Sequence, residues 1–72
     1  MIRFKLAEQI ERLQFHQARR ITLQEVTEAT GINRSTLSKI LNQRGYSTST
    51  DILDRLCGFF DCKIEDLVER VE

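Results

Sequence analysis

The chain has 72 residues, enough for one small domain that buries only about 60% of the surface its unfolded form exposes, so its fold must be simple. Hydrophobic residues make up 40% and charged residues 31%, an ordinary globular composition that argues against a disordered or membrane-embedded chain. The net charge is zero, but it is unevenly spread: residues 1–22 carry +3, residues 23–32 carry −2, residues 33–46 carry +3 with no acid, and residues 47–72 carry −4.

No apolar run approaches the roughly 20 residues of a bilayer span, and the N-terminus lacks a signal-peptide apolar stretch, so a cytoplasmic protein with no membrane partner is expected. Proline is absent and only three glycines occur, which favours helices over hairpins. Leu6, Ile10 and Leu13, with Ala7 and Phe15 as further candidates, recur at helical spacing and predict a first helix from Lys5 to about Ala18. Thr22 followed by Glu25 forms a capping box, with Ile21 placed to staple onto Val26, so a second helix starts at Leu23 and ends near Thr30 before Gly31. Asn33 occupies an N-cap position, and Leu37, Ile40 and Leu41 mark the inner face of a third helix from Arg34 to about Asn42. Residues 43–48 read as a loop. Ser49 or Thr50 then caps a fourth helix whose inner face is Ile52, Leu53, Leu56, Phe59 and Phe60. Asp61-Cys62-Lys63 breaks it, and Ile64, Leu67, Val68 and Val71 predict a short fifth helix.

A helix, a tight Gly-containing turn and a second helix make the unit that sets its second helix in the DNA major groove, and residues 23–41 have every part. Val26, Ala29, Ile32, Leu37 and Ile40 are the apolar contacts expected to lock the two helices. Facing outward on the third helix are Arg34, Ser35, Ser38 and Lys39, flanked by Asn33 and Thr36: cations, hydroxyls and an amide with no carboxylate. Such a face approaches base edges without acidic repulsion. A solvated face that merely lacks acids is the bland alternative, and the capped helix and Gly turn in front of it weigh against that alternative.

The chain resembles the Cro and cI repressor (XRE) family of helix-turn-helix regulators, in a short single-domain group. The resemblance rests on Arg-Arg-Ile-Thr at 19–22, Glu-Ala-Thr-Gly-Ile at 28–32, Ser-Thr-Leu-Ser at 35–38, and the Gly-Tyr-x-Thr-x-Thr-Asp-x-Leu-Asp-x-Leu-Cys segment at 45–57. It implies an all-α, five-helix lambda-repressor-like DNA-binding domain spanning residues 1–72, acting as a transcription regulator on double-stranded DNA. By position it implies that Asn33, Arg34, Ser35, Ser38 and Lys39 contact bases. Thr36, Asn42, Gln43 and Arg44 are implied to contact the backbone, and the Thr48–Thr50 cluster to add another backbone contact. The family often has Gln at the first position of the second helix and Ala at the fifth; this chain has Leu23 and Thr27, which removes one phosphate contact and places a polar group at a close helix crossing.

Arg19 and Arg20 either track a phosphate strand or complement the dipole at the end of the first helix. Tyr46 either reaches a phosphate or packs its ring on the core. Phe59 and Phe60 are adjacent and cannot both face inward fully. The extra aromatic, with Val68 and Val71, is a candidate homodimer surface. Cys57 and Cys62 are spaced as neither a zinc knuckle nor a redox pair and read as free, structural thiols, and with His16 the sole histidine no four-ligand zinc site can be assembled. No cofactor, metal or small-molecule pocket is evident. Acid pairs such as Asp51 with Asp54 and Glu65 with Glu69 read as solvated faces, so no enzyme is expected. The competing reading is a protein-interaction module, antitoxin-like or adaptor, that keeps the fold without reading DNA; zero net charge and the acidic C-terminal half favour it.

Overall fold

The computed structural model describes all 72 residues, Met1–Glu72. Five helices and a two-stranded sheet follow in the order β1 (Ile2–Phe4), α1 (Leu6–Gln17), α2 (Leu23–Thr30), α3 (Arg34–Asn42), α4 (Thr50–Phe60), α5 (Ile64–Leu67) and β2 (Val68–Arg70). The five-helix framework expected from the sequence is present. The sheet is an addition, and it shortens the fifth helix: Val68 leaves helical geometry at φ −134 and starts the strand instead.

Nine apolar side chains, from every helix and from the turns before α2 and α3, form the core, among them Leu6, Val26, Leu37, Leu56 and Leu67, each 1% exposed or less. At about 100° per residue, helix α3 turns Leu37 and Ile40 to this core and leaves its remaining faces for other use. On α1 the inner face is Leu6 and Gln9, with Ile10 and Leu13 packed beside them. Two sequence expectations fail on this helix: Ala7, in the first turn, is exposed, and Phe15, in the last, is 85% exposed on the side opposite Leu6.

Gln9 is buried among apolar groups and is satisfied on both sides. Its amide donates to the Asp66 carbonyl at 2.9 Å and its carbonyl accepts from Arg12 Nε at 3.0 Å; Arg12 donates onward to the Phe60 carbonyl at 2.7 Å. A buried amide left without partners costs on the order of 1–3 kcal/mol, so this chain of bonds is what makes Gln9 tolerable inside. It also ties α1 to the α4–α5 corner.

The helix ends follow local rules. Thr22 Oγ1 accepts from Glu25 N–H at 3.2 Å, but the Glu25 carboxylate turns to Arg19, so only half of the expected capping box forms. Ser49 rather than Thr50 caps α4, accepting from Ile52 N–H at 3.2 Å. Gly31 closes α2 in the left-handed region at φ 75, where a Cβ would be strained and would approach Arg55 Nη1 to 3.3 Å. Ala18 at the end of α1 takes the same region at φ 51 with no glycine to ease it.

The sheet is antiparallel, with Ile2 opposite Arg70, Arg3 opposite Glu69 and Phe4 opposite Val68. Lys5 N–H donates to the Leu67 carbonyl, and Lys5 Nζ caps the Glu65 carbonyl at 2.7 Å. Arg3 pairs with Glu69 across the strands and with Glu8 on α1. Residues 66 apart in the chain are thus held side by side.

Candidate nucleic-acid interface

The turn between α2 and α3 is braced from three directions. Thr30 Oγ1 donates to the Val26 carbonyl at 2.7 Å and accepts from Ile32 N–H at 3.2 Å, Ile32 is buried below it, and Arg55 reaches across from α4 to donate to the Thr30 carbonyl at 3.3 Å while paired with Asp51. A cation at the C-terminal end of α2 also suits the helix dipole. Val26, Ile32, Leu37 and Ile40 lock the two helices as expected; Ala29 does not, because it is exposed on the outer side of α2.

On α3, Arg34, Ser38, Asn42, Ser35 and Lys39 fall within an arc of about 140°, opposite Leu37 and Ile40. All are exposed except Ser38, which is half-buried. Asn33 leads into this arc: its Oδ1 accepts from Ser35 N–H at 2.8 Å as the N-cap, which leaves its amide NH₂ without an intramolecular partner. The structure therefore brings Asn33, Arg34, Ser35, Ser38 and Lys39 onto one continuous surface. Asn42 shares it and braces Ser38, donating to the Ser38 carbonyl at 3.0 Å. Thr36 lies at the edge, half-buried, and Gln43 and Arg44 continue past the end of the helix, both exposed.

The four ion pairs of the molecule involve only Arg3, Arg19 and Arg55 as cations. Arg20, Arg34, Lys39 and Arg44 have neither a carboxylate within ion-pair distance nor a hydrogen-bond acceptor in the protein. Their charge is uncompensated within the domain, and the arc carries no acid. Arg19 differs: it makes two bonds to Glu25, at 2.7 and 2.6 Å, and these hold the Glu25 carboxyl below the usual glutamate range. That fork–fork pair fastens the start of α2 to the end of α1.

Tyr46 is half-buried and packs on the core, with its N–H bonded to the Gln43 carbonyl at 3.2 Å. Phe60 is buried and Phe59 half-buried, their rings edge to face at 4.9 Å, and both Phe59 and Val68 pack against the core. Much of the aromatic and valine surface that the sequence offered for dimerisation is thus used within the monomer. Leu23, at the first position of α2, is half-buried against the core. Thr27, at the fifth, encloses its hydroxyl with no hydrogen-bond partner.

A solvent-open groove of about 420 Å³ runs between β1, the start of α1 and the end of α3, and one of about 330 Å³ lies on the other side of β1 against residues 45–48. Sequence reasoning saw no pocket because β1, which walls both, gives no local signal. No group of three or more His, Cys, Asp or Glu side chains is placed to hold a metal, and no helix is long and apolar enough to cross a membrane.

The family model of the Cro/C1-type HTH DNA-binding domain matches residues 13–72, from the middle of α1 through β2. The curated proteins and the solved structures offer no match.

Proposed function

The chain belongs to the Cro/C1-type HTH DNA-binding domain family, and from that premise we propose that it is a sequence-specific transcriptional repressor which inserts α3 into the major groove of double-stranded DNA. The observation that carries this reading is the α3 arc: a cation-, hydroxyl- and amide-bearing face without acids, whose cations have no partner in the protein. Asn33, Arg34, Ser35, Ser38 and Lys39 contact base edges; Arg can engage guanine through two bonds, and Ser and Asn serve several bases. Thr36, Asn42, Gln43, Arg44 and Arg20 hold the phosphate backbone on either side. Arg19 keeps its pair with Glu25 and contributes by positioning α2, with its outer edge available to a phosphate.

Two copies act together in this reading, because paired recognition helices spaced one DNA turn apart multiply affinity and specificity. Selection of binding sites from a random duplex library tests both parts. A palindromic consensus with half-sites about 10 base pairs apart is the expected result. Recovery of no consensus, together with a stoichiometric protein partner in a pull-down, would overturn it in favour of a protein-interaction module.

A further inference from the structure

Cys57 and Cys62 are five residues apart, and on a continuous helix that spacing would turn their side chains about 140° from each other. The chain does not continue the helix. Asp61 enters the left-handed region at φ 51, and both its N–H and that of Cys62, the latter at 3.1 Å, return to the Cys57 carbonyl. The six-to-one bond from Cys62 to Cys57 is that of a Schellman helix end, in which the residue just past the left-handed position packs against the residue four before that position. Those two places are commonly filled by an apolar pair; here both are cysteines.

The two thiols are free and half-buried, and this helix end brings together the residues that carry them. Backbones joined by such a six-to-one bond lie within the range of Cα separations that a disulfide spans, about 4.4–6.8 Å. We propose that Cys57 and Cys62 are a redox-closable pair, forming an intramolecular disulfide across the C-terminal end of α4 with a low-molecular-weight disulfide as the oxidant. The inference does not depend on DNA binding.

The chemistry runs in two exchanges. One cysteine thiolate attacks the S–S bond of the oxidant, giving a mixed disulfide and releasing one small thiolate. The second cysteine thiolate attacks the protein sulfur of that mixed disulfide, forming the Cys57–Cys62 bond and releasing the other small thiolate. Two thiol protons pass to solvent and two electrons to the oxidant. The bond ties the last turn of α4 to the residues entering α5.

The surroundings set its rate. Burial pushes the Cys62 thiol up to about 11, with Cys57 beside it and Asp66 of α5 adding to the rise and Arg12 of α1 opposing it. Burial is the largest cause and persists when Cys57 is capped, so closure through Cys62 is slow near neutral pH and gains about tenfold per pH unit.

The test treats the reduced full chain with excess oxidised glutathione at pH 7 and pH 9, follows intact mass under non-reducing conditions and checks far-UV circular dichroism. Expected is a monomer lighter by about 2 Da, reached through a one-glutathione adduct that resolves about 100-fold faster at pH 9, with helicity retained. Cys62→Ser should stop at the one-glutathione adduct. A wild-type end product carrying two glutathiones, a disulfide-linked dimer, or a closed product that has lost its helicity would overturn the proposal.

Discussion

Replacing Arg44 by alanine separates phosphate binding from base reading. Arg44 is exposed just beyond α3, and none of the four ion pairs involves it. Each phosphate neutralised on duplex DNA contributes about 0.9 to the slope of log affinity against log salt. With Arg20 and Arg44 the phosphate-binding cations free of acid partners, each copy should contribute about −1.8 to the wild-type slope, and Arg44→Ala should bring that to about −0.9. Its loss of affinity should be the same on selected and random duplex. Arg34→Ala should instead cost about 1–3 kcal/mol on the selected site, roughly a 5- to 160-fold loss, and relax the preference at one base pair. Arg3→Ala is the control: its guanidinium is already held by Glu69 and Glu8, which raise its pKa, so the slope should not change. Fluorescence anisotropy of labelled duplexes between about 50 and 200 mM salt measures all of these. If Arg3→Ala lowers the slope as much as Arg44→Ala, or if Arg34→Ala is sequence-blind, the assignment of α3 as the reading face is refuted.

Two further predictions concern stability. The enclosed, partnerless hydroxyl of Thr27 makes Thr27→Val, which swaps it for a methyl of similar shape, stabilising by about 1 kcal/mol, read as a higher urea midpoint at unchanged slope; a lower midpoint would mean that the hydroxyl finds a partner in solution. Hydrogen bonds from Arg19 and Arg3 hold the Glu25 and Glu69 carboxyls below the usual glutamate range, so their contribution is complete above the unfolded value near 4.5 and is lost as pH falls through the depressed folded values. Urea midpoints of the wild type should therefore drop between about pH 5 and 3 more steeply than those of the Glu25→Gln, Glu69→Gln double variant, and parallel curves would remove these pairs from the acid limb.

What could be read locally was read correctly where the signal itself was local. Caps and turns depend on a few neighbouring residues, so Thr22, Gly31 and Asn33 placed α2 and α3 to the residue, and the 3.6-residue period then separated Leu37 and Ile40 from the outward arc. Failures fell where the answer lies in a distant neighbour. Phe15 and Ala29 fit a helical apolar pattern but have no opposing element. Val68 and Val71 fit a fifth helix, yet pairing with the chain's first residues turns Val68–Arg70 into a strand. The capping box is a local exception: Glu25 is drawn away from it by the guanidinium of Arg19, only six residues earlier.

The sequence by itself determined the helix-turn-helix and the chemistry of its outer face, because capping, helical periodicity and residue type are properties of short segments. The tertiary structure alone decided which cations stay uncompensated, that Gln9 is buried and satisfied, and that β1 pairs with β2. Charge pairing and burial depend on which segments meet in space, and no local pattern encodes a partner some 60 residues away.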